Sequence, residues 1–268
     1  MPDKTYLLAT SLILLLIACE KEKSFSTRGS TAANGSRVTK AISRWYDSAT
    51  YSFYYYDDQK RLKNIVDSEN TNFSKEFTSF VYDAAGRLLK KIYTSDHNSD
   101  AGVYSFWYDG NDNIAGKIYS NQYATAIGVR GKNTYTYDAR GRMIADTTYS
   151  YRSEDIIEYV TYTYDNNDNI VSWQEFHDEG GVMKTDGIIS ASYSNLVNPY
   201  FDLRSSLYTI WYGNWILSKH LNAQVIYDGG TIENYTYEFY PDGSVKKLIA
   251  TEDSGGYSDI TTLEFFYE

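Results

Sequence analysis

Tyr54-Tyr55-Tyr56-Asp57, Phe80-Val81-Tyr82-Asp83, Phe106-Trp107-Tyr108-Asp109, Tyr135-Thr136-Tyr137-Asp138 and Tyr162-Thr163-Tyr164-Asp165 are five copies of one phrase. Each copy is an aromatic residue, a spacer and Tyr-Asp, followed by turn residues, an Arg or Asn and an aliphatic. The Tyr-Asp pairs lie 26, 26, 29 and 27 residues apart. A fixed period in this range marks an array of one supersecondary unit.

The unit reads as a β-hairpin. Thr134-Tyr135-Thr136-Tyr137 alternates, Asp138-Ala139-Arg140-Gly141 has the Asp and Gly preference of a type I turn, and Arg142-Met143-Ile144-Ala145 restarts a strand. The Gly position is Gly86 and Gly141 in two copies and Asp112 and Asp168 in two others, all tolerant of a left-handed backbone. Lys60 departs from this, so the first hairpin is expected to turn differently. Phe239-Tyr240-Pro241-Asp242-Gly243-Ser244-Val245 is a shortened copy. The Tyr of each Tyr-Asp pair and the aromatic two before it share a strand face, and neighbouring hairpins stack these faces into aromatic ladders. One aliphatic follows each turn: Leu62, Leu88, Ile114, Met143, Ile170 and Val245.

The fold class that follows is all-β. We expect one antiparallel meander of repeated hairpins, roughly 14–17 strands, curled into a barrel or an open trough. Composition agrees, with 29 Tyr, 11 Phe, 5 Trp and only 3 Pro. Formal net charge is −10, which repels nucleic acid and anionic headgroups, so no nucleic-acid partner is expected.

Residues 1–18 read as a signal peptide. Lys4 supplies the positive start, and Leu7 to Ile17 is an apolar run far short of the ~20 residues that span a bilayer. The run ends in Leu16-Ile17-Ala18-Cys19, and Cys19 is the only cysteine. That pattern resembles a bacterial lipobox, which implies acylation of Cys19 and a membrane partner through the acyl anchor. Residues 19–37 then form a polar tether, and 38–268 a single β domain. Glu20 rather than Asp follows Cys19, which favours the outer membrane, facing the periplasm or the cell surface.

The phrase lapses between residues 195 and 221. This insertion is rich in Leu, Trp and Tyr, and Leu207, Ile210 and Trp211 have helical spacing. It is either a plug over the sheet or a loop whose Tyr208, Trp211, Tyr212 and Trp215 bind a ligand by stacking. No catalytic motif is present; His97, His177 and His220 are isolated, and no nucleophile elbow, zinc spacing or phosphate loop occurs. Asp109-Gly110-Asn111-Asp112-Asn113 and Asp165-Asn166-Asn167-Asp168-Asn169 match the start of a calcium loop. Both then lack its Gly and Glu, so turn chemistry is the better reading, and no metal or cofactor is expected.

The Tyr-Asp-x-x-Gly-Arg phrase resembles the YD repeat of Rhs-type proteins, whose hairpins build curled β-shells. A lipobox leader, such repeats, and Asn198-Pro199-Tyr200 with Leu217-Ser218-Lys219 are similar to small bacterial lipoproteins of a family of unknown function described as porin-like in fold. The resemblance covers about residues 38–268 and implies architecture rather than activity. A membrane-spanning barrel is not expected. Lys90-Lys91 and Lys246-Lys247 put a charge on both faces of their strands, whereas a lipid-facing wall is apolar at alternate positions. The function expected is a lipid-anchored, non-enzymatic envelope protein that binds or scaffolds an envelope protein. The alternative is a glycan-binding accessory of an outer-membrane uptake system.

Overall fold

The computed structural model describes residues 37–45, 48–69, 74–96, 98–123, 126–198, 217–254 and 257–268. These form sixteen strands in one closed barrel, each strand beside its neighbours in sequence, with the first pairing the last. In order they are β1 (Val38–Trp45), β2 (Ser48–Tyr56), β3 (Leu62–Glu69), β4 (Lys75–Tyr82), β5 (Leu88–Ser95), β6 (Asn98–Tyr108), β7 (Ile114–Tyr123) and β8 (Ala126–Tyr137). They continue as β9 (Met143–Tyr149), β10 (Ile156–Tyr164), β11 (Ile170–Asp178), β12 (Met183–Val197), β13 (His220–Ile226), β14 (Ile232–Phe239), β15 (Val245–Ser254) and β16 (Tyr257–Tyr267). All sixteen pairings are antiparallel, so the alternatives of barrel and trough resolve to a closed barrel without sheet edges.

Closure makes one face concave. Side chains converge there, and most of the buried set falls on it: Tyr54, Leu62 and Ile65, then Phe80 and Leu88, Phe106 and Ile114, and so on round the wall; Ile42 and Ala49 are buried on the outer face. The opposite face leaves Tyr55, Phe77, Val81, Ile188 and Ile260 exposed.

The repeated turn explains its own sequence. Asp57 N–H donates to the Arg61 carbonyl at 2.9 Å and Lys60 N–H to the Asp57 carbonyl at 2.8 Å. These bonds close the four-residue turn expected from sequence, and the Asp–Arg pair flanks it with three residues between. The Asp57 carboxylate accepts from the Gln59 and Arg61 amides with one oxygen and from Arg61 Nε with the other. Asp138 repeats this with Arg140 and Arg142, and Asp109 does so with Asn111 and the Asn113 amide and side chain. The residue four past the Asp must offer a side-chain N–H, which is why it is Arg or Asn. The D-x-N-x-N spacing of Asp109 and Asp165 is accounted for by the same bonds.

Lys60 corrects another expectation. It adopts the left-handed backbone, φ 67°, as Gly86, Asp112, Gly141 and Asp168 do in their turns. The Asp57 bonds impose the geometry, and the lysine accepts its strain.

The Tyr of each phrase ties one hairpin to the one before. The β3–β4 ladder stops at Asn64–Ser79, leaving the Leu62 carbonyl beyond it, and Tyr82 Oη donates to that carbonyl at 2.6 Å. The same bond runs from Tyr56 to Val38, Tyr108 to Leu88, Tyr137 to Ile114 and Tyr164 to Met143, at 2.7–2.9 Å. Arg61, Arg87 and Arg142 also lie over the rings of Tyr82, Tyr108 and Tyr164, 4.5–4.9 Å from the centroids.

The closing seam is a split copy of this unit. Glu268 and Arg37 exchange both backbone hydrogen bonds, standing where Asp57 and Arg61 stand. Tyr267 Oη donates to the Val245 carbonyl at 2.9 Å, and Arg37 lies over Tyr56. On the outer side, Lys40 Nζ sits 5.2–5.5 Å from the ring centroids of Tyr51, Phe53 and Phe266, and Arg44 pairs with Glu264.

Candidate functional site: the lumenal wall

Two inner-wall levels differ. Near the Tyr-Asp turns the wall is apolar and closely packed. Farther along β3 to β11 it becomes polar, and on β10 the inward Glu158 is exposed to solvent. Between these levels lie Lys91 on β5, Lys117 on β7 and Asp146 on β9.

Lys91 is 4% exposed, pairs across the sheet with Phe80 and Tyr104, and has its ammonium 5.0 Å from the Tyr104 ring centroid. Lys117 Nζ approaches the same ring at 5.8 Å and the Tyr135 ring at 5.8 Å. Tyr104 in turn stacks on Tyr119 with centroids 4.7 Å apart. Burial, then repulsion from Lys117, pushes the Lys91 amine down to about 7, with Asp67 opposing. Burial also lowers Lys117, against the pull of Asp146 and Glu158. Asp67 is raised, by burial first and then by Glu76. Asn133 Nδ2 bridges Asp146 Oδ1 at 2.9 Å and Thr148 Oγ1 at 2.8 Å. The wall thus offers ammonium donors beside carboxylate and amide-oxygen acceptors, an arrangement that recognises polar ligands.

Of the residues singled out in the sequence, Cys19, Tyr208, Trp211, Tyr212, Trp215 and His97 lie outside the described residues. The two flanks of the insertion are described and clamp each other. Asn198 N–H donates to the Lys219 carbonyl, Asn198 Nδ2 to the Ser218 carbonyl, and Ile170 N–H to Ser218 Oγ. His220 meets Asn169 of the fifth turn at 3.0 Å. Tyr193, which no phrase announces, supplies this unit's hydroxyl to the Ile170 carbonyl. His177 pairs with Asp186 on β12 at 2.9 Å, rather than with its sequence neighbours Asp178 and Glu179.

Lys91 and Lys90 do face opposite sides, as the sequence suggested. Lys246 and Lys247 do not, because a β-bulge takes up Lys246 while Lys247 pairs with Glu238 on the outer face; Leu248 points inward. Lys117 and Asp146 were not singled out, although aligning the repeats on Asp puts them at the position of Lys91.

The barrel is similar to solved structures of two porin-like proteins. The one from Bacteroides uniformis is 15% identical, with TM-score 0.56, over 86% of this chain and 96% of that one. The one from Bacteroides vulgatus is 10% identical, with TM-score 0.51, over 86% of this chain and 98% of that one. At these identities the likeness establishes the fold. No family model matches the chain. No curated protein matches it either.

Proposed function

We propose that the chain is a lipid-anchored protein of the bacterial outer membrane whose barrel scaffolds or binds, without catalysis and without spanning the bilayer. The observation that carries this reading is how the repeated phrase is used. Its tyrosine hydroxyls, aspartates and arginines hold hairpins to one another, so the repeat serves construction. We read it as the same hairpin unit as in Rhs-type shells. The anchor rests on Leu16-Ile17-Ala18-Cys19 and on the polar run that reaches Arg37 beside β1. Against a lipid-facing wall stand Lys40, Lys90, Lys132, Glu238 and Lys247, all on outward strand positions.

The test is fractionation of full-length Cys19→Ser. We expect it to leave the membrane fraction and appear as soluble, folded protein. Retention through alkaline carbonate extraction would mean that the barrel itself inserts, and both the anchor and the non-spanning reading would fall. A second reading, a glycan-binding accessory of an uptake system, is favoured by the polar stretch of lumenal wall around Lys117 and Asp146.

A further inference from the structure

The inner wall follows a rule and breaks it in one place. In each regular hairpin the first aromatic of the phrase faces, on the partner strand, the residue three past the aliphatic that follows the turn. Tyr54 faces Ile65, Tyr162 faces Trp173, and at the seam Phe265 faces Ala41. In three consecutive units the facing residues are instead Lys91, Lys117 and Asp146, opposite Phe80, Phe106 and Tyr135. A place opposite a buried aromatic is among the costliest for a charge, and the sibling units show that an apolar residue serves there. Where a repeat abandons its own rule at neighbouring positions, function is the usual cause.

We infer that Lys117, Asp146 and Asn133, backed by Lys91, form a binding site for a neutral saccharide on the lumenal wall of β5 to β9. A sugar hydroxyl donates and accepts at once. Lys117 donates, Asp146 accepts, and the Asn133 amide oxygen accepts from a position already fixed by the amide's bonds to Asp146 and Thr148. The site is reached by solvent, since Glu158 one strand beyond Asp146 on the same wall is exposed. The ligand is neutral because each lysine already has carboxylates acting on it, Asp67 on Lys91 and Asp146 and Glu158 on Lys117, and a polyanion meets those carboxylates as well. The inference rests on the glycan reading above and places its site in the lumen rather than in the insertion.

The experiment pairs a melt with a titration on the full chain purified in detergent. The probes are maltohexaose, cellohexaose and xylohexaose, with hexagalacturonate as the acidic control. Lys91→Ile/Lys117→Leu/Asp146→Leu restores the sibling pattern. We expect it to melt at or above the parent temperature, because replacing buried charges by apolar residues is often neutral or stabilising. We expect it also to lose the shift that a neutral hexaose gives the parent. Lys117→Met alone is expected to keep the fold and weaken binding about tenfold, the effect of one lost hydrogen bond. A triple variant that melts lower means the charges are structural, and the inference falls. If that variant keeps binding, the glycan reading survives and the site lies elsewhere. A parent that binds no neutral probe, or only hexagalacturonate, overturns both the inference and its neutral class.

Discussion

The two ends of the barrel are built differently. At the end that carries the Tyr-Asp turns, five connections repeat one three-residue loop with the same carboxylate bonds. At the other end, the β9–β10 connection spans Ser150 to Asp155, β11–β12 closes between Glu179 and Val182, and β13–β14 keeps the three-residue backbone loop, from Tyr227 to Thr231, with Tyr in place of the Asp. The difference teaches where register is set. Each Tyr-Asp turn fixes its hairpin, and each tyrosine hydroxyl fixes that hairpin on the previous one. Strands leaving such an end arrive at the other already in register, and the loops there are free to differ.

The largest effect is expected at the tyrosines. Tyr137→Ala removes a ring from the buried face and the hydroxyl held 2.8 Å from the Ile114 carbonyl. We expect a loss of about 3 kcal/mol by chemical denaturation. Tyr137→Phe keeps the ring and leaves the carbonyl unmet, at a cost of about 1–2 kcal/mol. An unchanged Phe variant would show that the ring alone matters and that hydroxyls do not set register.

Aspartates sharpen the contrast between ends. Asp138 accepts three hydrogen bonds within its turn, whereas Asp178 at the opposite end accepts one, from the Gly181 amide. Asp138→Ala should cost about 1–2 kcal/mol and Asp178→Ala less than about 0.5 kcal/mol. Equal losses would erase the distinction. The turn aspartates also set an acid limit. Burial raises Asp57, Asp109, Asp138 and Asp165, but hydrogen bonds from the amides and side chains of their own loops outweigh it and hold them low. Asp83 is held low by the Arg87 bonds. A folded value below the unfolded one of about 3.9 gives stability that is present above that pH. It is lost as pH falls through the folded values. Urea midpoints should therefore drop steeply below about pH 4, and less steeply for Asp138→Ala.

Much of this was legible in the chain. The period, the Asp at the turn and the aliphatic after it are local signals, and local signals suffice for a hairpin array. Closure was not legible, because curl accumulates over sixteen strands and no single residue reports it. The partners of the tyrosine hydroxyls were hidden for a similar reason: Tyr82 and Leu62 are 20 residues apart and meet only after two hairpins dock. Bulges hid the true facing of Lys246. The site residues Lys117 and Asp146 were visible only by comparing repeats with one another, since alone each reads as an ordinary charged residue. Tyr208, Trp211, Tyr212 and Trp215 stand out only by the aromatic density of the insertion, and that segment lies outside the described residues.

Lys60 tests how firmly the turn end is specified. It holds φ 67° where Gly86 and Gly141 hold 85° and 76°. A side chain in this conformation costs roughly 1–2 kcal/mol, part of which glycine gives back as extra freedom when unfolded. Lys60→Gly should therefore stabilise by about 0.5–1 kcal/mol, read as a higher urea midpoint at constant slope. Destabilisation would mean that the lysine side chain contributes more than its backbone strain removes.

The smallest effect is expected where the comparison is most demanding, at the seam. Glu268 N–H donates to the Arg37 carbonyl as Asp57 N–H does to Arg61, but the Arg37 N–H returns to the Glu268 carbonyl, where in a Tyr-Asp turn the residue three past the Asp bonds that carbonyl. Copying the Ala84-Ala85-Gly86 loop between Glu268 and Arg37, and opening the chain between Arg152 and Ser153, would complete this copy covalently. The new ends would fall in the exposed β9–β10 connection, at the end where loops vary. If the seam is a true turn, the joined loop fits without strain, and the permuted barrel should fold with stability within about 1 kcal/mol of the parent. A permutant that fails to fold, while the same opening with a long flexible join succeeds, would show that Glu268 and Arg37 only imitate the turn. Closure would then depend on the outer staple of Lys40 with its three rings and on the Arg44–Glu264 pair.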